Sequence, residues 1–335
     1  MTQFVQGSEP IGVAAKKIAR RVFRHENTVL ILALIALIGG MGVVTGGKSI
    51  TRTNMMNVLL QSSIRGVASV GQAFVLLTAG IDVSVGGIGR FCGLLGTMMM
   101  TEGWQNIVGY PVSVFLAIPV MLLVGAAWGA INGSLVSRVG MPALIVTLGM
   151  WEVTSGAAFR VSRGQSIMQL PRSLAFIGQG HIAGVPVPVV VFVAVAVVAY
   201  FVLNHTTFGR SVYAAGGNPL SAWLSGIKVR NIQFIVYVIS GFLAGLAAAI
   251  MAGRVMAASM RTLEGLEIDS IAAVCIGGIS LAGGRGSIIG VVIGVLIIGV
   301  VNNGLSVLGA GPDLQRIVKG VIIIIAVAVD YIRRR

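Results

Sequence analysis

A succession of long uncharged apolar runs, separated by short polar turns, constrains this chain more than any other feature. The first, "NTVLILALIALIGGMGVVTGG" (27–47), carries no ionisable residue over about the twenty residues that a helix needs to cross a bilayer. No water reaches that depth, so the backbone of each run must satisfy its own hydrogen bonds, and the runs are expected to be helices. Composition agrees: 56% of residues are hydrophobic and 10% charged, where a soluble domain carries about 25% charged residues. The expected fold is an all-α polytopic membrane protein. Ten crossings are expected at about 28–47, 58–80, 82–101, 111–131, 141–160, 186–203, 232–252, 266–282, 286–304 and 314–331. Glycines crowd the third and eighth, which are candidates for broken or re-entrant helices.

A net charge of +14 raises the possibility of a nucleic-acid partner, but the basic residues lie in short clusters between apolar runs, as membrane topology arranges them. With the N-terminus inside, cytoplasmic segments hold thirteen Lys and Arg and outer segments nine. An even number of crossings then puts both termini in the cytoplasm, leaving a basic N-terminal segment (1–27), a membrane domain (28–331) and a basic tail (332–335). Within the first, Ile11, Ala15, Ile18 and Val22 share a helical face opposite Lys and Arg, a pattern suited to an anionic lipid surface.

"GVVTGGKS" (42–49) matches the phosphate-binding P-loop pattern. That pattern needs a buried strand before it and a helix after it. Here a membrane-length run precedes it, so Gly46 and Gly47 are expected to end a helix, with Lys48 near its dipole.

"GAAWGAINGSLVSRVGMP" (125–142) and "GVLIIGVVNNGLSVLGAGP" (294–312) share a Gly-rich helix, an Asn-Gly ending and a Gly-Pro approach to the next run. The offset from Asn132 to Asn303 also relates the starts of spans two, four and five to those of seven, nine and ten. The repeat halves are about 58–160 and 232–331. Five crossings separate corresponding helices, so the halves would be inverted, an arrangement common among transporters.

Mid-membrane ionisable groups, which ion-coupled carriers use, are scarce: Glu152, Arg65 and Arg90 fall within spans. His25, His181 and His205 lie in separate loops, and Cys92 and Cys275 sit in apolar stretches as packing residues, so neither a metal site nor an enzyme site is legible. The most informative polar segment is "NHTTFGRSVYAAGGNPLSAWLSGIKVRN" (204–231). Asn218 and Pro219 can start a helix as N-cap and first residue. Leu220, Trp223, Leu224 and Ile227 then share a face that needs an apolar surface, in the bilayer, on its own bundle or on a cytoplasmic partner.

Several blocks resemble the ribose-type sugar permeases, the membrane subunits of ATP-binding-cassette importers. They are "TAGIDVSVGG" (78–87), "NGSLVSRVGMPALIVTLG" (132–149), "TFGRSVYAAGGNPLSAWLSGIKV" (207–229), "EIDSIAAVCIGGISLAGGRGSIIG" (267–290) and "NNGLSVLG" (302–309). The resemblance implies a non-catalytic subunit of the bacterial inner membrane that needs no cofactor of its own, with ATP bound by a separate cytoplasmic ATPase. It also implies an extracytoplasmic sugar-binding protein and a second permease, commonly an identical copy. Carried over by motif, Gly209, Arg210, Tyr213, Gly216, Gly217, Asn218, Trp223, Leu224 and Gly226 belong to the segment that couples to the ATPase. Asp82, Ser84, Gly86, Asn132, Gly133, Asp269, Gly283, Gly284, Asn303 and Gly304 belong to the family's other motifs, where Asp82, Ser84 and Asp269 are expected to cap helices at breaks. Ile279 stands where Thr is usual and Gly87 where Ser is frequent, at positions where substrate or binding-protein contacts would fall. A pentose, hexose or polyol is expected as solute, with substrate residues unassigned; the rival is an ion-coupled secondary transporter. Because Lys48 is expected to serve a helix end, Lys48→Ala should leave ATP hydrolysis by an assembled transporter unchanged; a loss of hydrolysis would reinstate the P-loop.

Overall fold

The computed structural model describes residues 26–334, so the amphipathic face expected at Ile11, Ala15, Ile18 and Val22, within the basic segment 1–27, lies outside the described residues. Helix α1 (Glu26–Val44) ends at left-handed Gly46 and Gly47, and the Gly47 N–H returns to the Gly42 carbonyl at 2.7 Å. The apparent P-loop is therefore a helix terminus, and Ser49 is buried on Thr45. A 3-10 turn (Lys48–Ile50) leads into α2 (Arg52–Leu77), followed by α3 (Val85–Met100) and α4 (Val114–Ser134), which a π turn extends through Val139. After α5 (Ala143–Ser162) come the short α6 (Ala175–Gln179) and a hairpin, β1 (His181–Ile182) with β2 (Val185–Pro186), antiparallel with His181 opposite Pro186. The rest is helical: α7 (Val187–His205), α8 (Thr207–Gly217), α9 (Pro219–Leu224), α10 (Val229–Val255), α11 (Leu266–Ile276), α12 (Ile288–Val307) and α13 (Pro312–Arg334).

Each of the ten expected stretches falls on one of these helices. Among the described residues, five helices are long and apolar enough to cross a bilayer: α1, α4 with its π turn, α7, α10 and α12. The chain is an all-α membrane protein. The two glycine-rich stretches behave differently from each other. Helix α3 is unbroken, the interruption lying before it at 78–84, whereas α11 stops after 11 residues, about 16 Å of helix. The expected eighth run is helical only to Ile276 because Gly277 and Gly278 turn the chain, Gly278 at φ 85°.

Helices α2 and α10 form the centre: α2 is buried almost continuously from Ser62, and α10 is largely buried from Val236 to Gly253. Helix α10 packs on α4, α2 and α3; α2 also packs on α12, α7 and α11. The α4–α10 contact is made backbone to backbone. A Cβ on Gly125 would strike the Gly241 carbonyl, one on Gly129 the Tyr237 carbonyl, and one on Gly245 the Met121 carbonyl. Glycines spaced by four on facing helices permit this approach, which in lipid supplies van der Waals contact where hydrophobic burial supplies little. Gly129→Val should destabilise the protein by about 1–3 kcal/mol through overpacking, read as a lower unfolding temperature in detergent. Gly149→Ala, where no atom lies within 4 Å of the new Cβ, should leave it unchanged.

Candidate functional site

The 204–231 segment forms a bent platform at one end of the bundle. Thr206 Oγ1 donates to the Val202 carbonyl at 2.6 Å and accepts from the Gly209 N–H at 3.2 Å, capping α8 on the end of α7. Gly209 lies so close to the Leu203 and Val202 carbonyls that a side chain would collide with them. Asn218 Oδ1 accepts from the Ser221 N–H at 2.9 Å with Pro219 at the first helical position, so α9 starts as its residues dictate. Gly226 turns the chain at φ 83° towards α10. Ala222 of α9 is buried, while Leu220, Trp223 and Leu224 are exposed by 67%, 64% and 71%; Ile227 is half-buried. The bundle therefore leaves the apolar face of α9 uncovered. Arg210 of α8 is exposed.

The inner side of the platform rests on two breaks in the bundle. A Cβ on Gly216 would meet the Leu77 carbonyl and the Gly284 amide, and the Gly284 N–H donates to the Leu77 carbonyl at 2.9 Å. Gly283 and Gly284 take φ 80° and 70° to make this turn. Tyr213, its hydroxyl pushed above the ordinary tyrosine pKa by burial, stays protonated and donates to the Gly286 carbonyl at 3.0 Å. Thus α8 touches both the α2–α3 break and the α11–α12 break.

Behind the first break is a buried polar knot. Asp82 Oδ1 accepts from the Ser84 N–H at 3.0 Å and from the Ser84 hydroxyl, while Oδ2 accepts from Ser240 Oγ of α10 at 2.7 Å. Asn132 of α4 donates to Ser84 Oγ at 2.8 Å. With its amide turned to satisfy both groups, Gln72 of α2 bonds the Asp82 carbonyl at 3.0 Å and its N–H at 3.2 Å. Tyr237 and Thr147 both donate to the Ile81 carbonyl. Side chains from four helices thereby hold a short irregular stretch whose backbone would be untenable in lipid.

The opposite end carries a charged cluster. Asp269 accepts from Arg65 Nε of α2 at 2.8 Å and from Lys319 Nζ of α13 at 2.9 Å, and Glu264 pairs with Arg316 at 3.0 Å. Beside it lies a cavity of about 430 Å³ whose lining includes Gln61, Arg65, Arg254, Arg261, Glu264 and Asp269. Nearby, buried Arg90 of α3 donates to Ser155 of α5 at 2.9 Å.

Of the motif residues expected from sequence, Asp82, Ser84 and Asn132 come together in the knot, and Gly133 lies close to the Phe234 backbone. Gly86 packs against Glu267, while Gly283 and Gly284 join Gly216 and Gly217 in the platform contact. Asn303 exchanges side-chain hydrogen bonds with Asn54 at 2.7 and 3.0 Å, and Gly304 packs on Met41, so their partners are not those of the knot. Two capping expectations are corrected. Asp82 closes a turn onto Ser84 and does not cap α3, for Ser84 takes the N-cap position without a side-chain bond. Asp269 is the fourth residue of α11 and binds two cations, while Gly265 occupies the N-cap. Gln72, Ser240, Tyr237 and Thr147 were missed, each being a lone polar residue in an apolar run. The departures at Ile279 and Gly87 are both buried packing positions, the latter against Thr154 and Trp151.

The family model described as branched-chain amino acid transport system / permease component matches residues 54–327. The chain is 37% identical to the ribose import permease protein RbsC of Escherichia coli (strain K12), covering 92% of this chain and 94% of that one. It is 40% identical to the fructose import permease protein FrcC of Rhizobium meliloti, over 91% and 84% of the two chains. It is 35% identical to the L-arabinose ABC transporter permease protein AraH of Azospirillum brasilense, over 85% and 82%. No solved structure matches. With a match spanning most of its length and relatives above 30% identity along nearly all of it, the chain belongs to this family of transport-system permease components.

Proposed function

We propose that this chain is the membrane-spanning, non-catalytic subunit of an ATP-binding-cassette importer for a sugar or polyol. The observation that carries this is α9, a capped helix whose Leu220, Trp223 and Leu224 stand exposed at the tip of a platform seated on two helix breaks. Such a surface fits a cytoplasmic ATPase subunit, which binds the ATP; this chain then needs no cofactor. Movement of the ATPase pair is passed through α8 to the breaks at Leu77 and Gly284, and the helices beyond them rock. An extracytoplasmic binding protein delivers the solute to the other end. The ribose, fructose and L-arabinose in the relatives' names support a sugar and favour ATP drive over the ion-coupled alternative.

The packing fits ten crossings in two inverted halves. Helix α10 lies on α4 as α2 lies on α12, and α3 lies on α5 as α11 lies on α13. Asn27, at the start of α1, approaches Ser287 at 3.3 Å on the platform end, which supports both termini lying in the cytoplasm with 204–231. Glu152 is exposed near the middle of α5, with Gly149 and Gly156 bare on either side. A carboxylate facing lipid at that depth is costly, so this face of α5 borders a watery pathway shared with a second, identical permease.

In the test, Trp223→Asp should weaken assembly with the cognate ATPase about thirtyfold or more, as loss of an aromatic anchor does, while membrane insertion is retained. Unchanged assembly would overturn the docking role. The purified chain alone should hydrolyse no ATP, and the complex should be stimulated by loaded binding protein.

A further inference from the structure

The cavity at the end away from the platform has a charge balance that a neutral sugar does not explain. Arg254 lies about 37 Å along α10 from Val229, at 1.5 Å per residue, so the cavity and the 204–231 segment occupy opposite ends of the bundle. Two carboxylates line it, and each already has its cation: Asp269 holds Arg65 and Lys319, and Glu264 holds Arg316. Arg254 and Arg261 also line it, and the side chain of neither makes an ion pair or hydrogen bond among the described residues. Arg65 spends only Nε on Asp269; its Nη1 is buried without a partner. Three arginines thus line one space with donor capacity unspent; Arg261 is exposed and Arg254 half-buried, and the unfavourable element is the buried Arg65 Nη1, which has no partner of its own.

We propose that this cavity binds a carboxylate, and that the solute carried is an acidic monosaccharide, an aldonate or uronate, rather than a neutral sugar. The proposal rests on the importer reading above and narrows its substrate class. A carboxylate matches the planar fork of an arginine in two parallel hydrogen bonds, whereas sugar hydroxyls leave the positive charge uncompensated. A monoanion suits the site better than a dianionic phosphate, because Glu264 and Asp269 in the wall repel the second charge more. The volume lies in the range of small-molecule sites, and Gln61 supplies an uncharged amide for hydroxyl groups. The same chemistry has a second source at this end, an acidic side chain of the docked binding protein.

The test uses the full chain in lipid nanodiscs, with sodium D-gluconate, sodium D-glucuronate, D-glucose and glucose 6-phosphate at matched ionic strength, read as thermal stabilisation and as dissociation constants. Gluconate or glucuronate should stabilise the wild-type protein and glucose should not, a comparison that needs no variant. Arg254→Gln and the more exposed Arg261→Gln should each weaken that binding about tenfold or more, and Arg261→Lys should recover part of it. The same variants are assayed for docking of the cognate binding protein without solute. Weaker docking with no response to either sugar acid would overturn the sugar-acid assignment and place the carboxylate on the binding protein. Equal responses to gluconate and glucose, preference for the sugar phosphate, or variants that alter neither binding nor docking would overturn the proposal. None of these results touches ATPase assembly through Trp223, so failure here is distinguishable from failure of the importer reading.

Discussion

The close approach of α4 to α10 is the contact on which the rest of the bundle depends. Gly125, Gly129 and Gly133 on one helix meet the backbone of the other at Gly241, Tyr237 and Phe234, with no side chain between them. Burial away from water drives little between helices already in lipid, so the gain comes from many short van der Waals contacts. Once these backbones touch, α2 and α3 can close around α10, and Asp82 is brought within 2.7 Å of Ser240.

That placement makes the irregular stretches tolerable. Residues 78–84 leave helical hydrogen bonding in the interior of a membrane protein, and lipid would leave their polar groups unsatisfied. Side chains from α2, α4, α5 and α10 occupy those groups instead. The second break, at 277–287, is turned by glycines and stitched to the first by the Gly284–Leu77 hydrogen bond. Because α8 touches both, displacement of the platform bears on two joints at once. A segment seated on one continuous helix would only translate that helix.

Legibility from sequence followed the range of the interactions. The end of α1 at Gly46 and Gly47 and the start of α9 at Asn218-Pro219 are written in adjacent residues, because caps and turns are local. The exposed Leu220–Leu224 face could be drawn from helical spacing, although whether the bundle covers it depends on where α8 sits. Asp82 and Asp269 looked alike, each an acid near a helix start, yet one ties a turn to α2 and α10 and the other holds two cations from α2 and α13. Their partners are far away in the chain, and no local pattern marks Ser240, Arg65 or Lys319 as the ones that arrive.

By itself the sequence determined that the chain is an all-α membrane protein and where most helices lie. Uncharged runs of bilayer length and local capping chemistry impose those features whatever the neighbours. Only the tertiary structure decided that two breaks meet beneath α8, and that Arg65, Arg254 and Arg261 line one cavity. These depend on which helix backbones can touch, a question of shape between residues far apart in the chain, such as Leu77 and Gly284, that hydropathy does not encode.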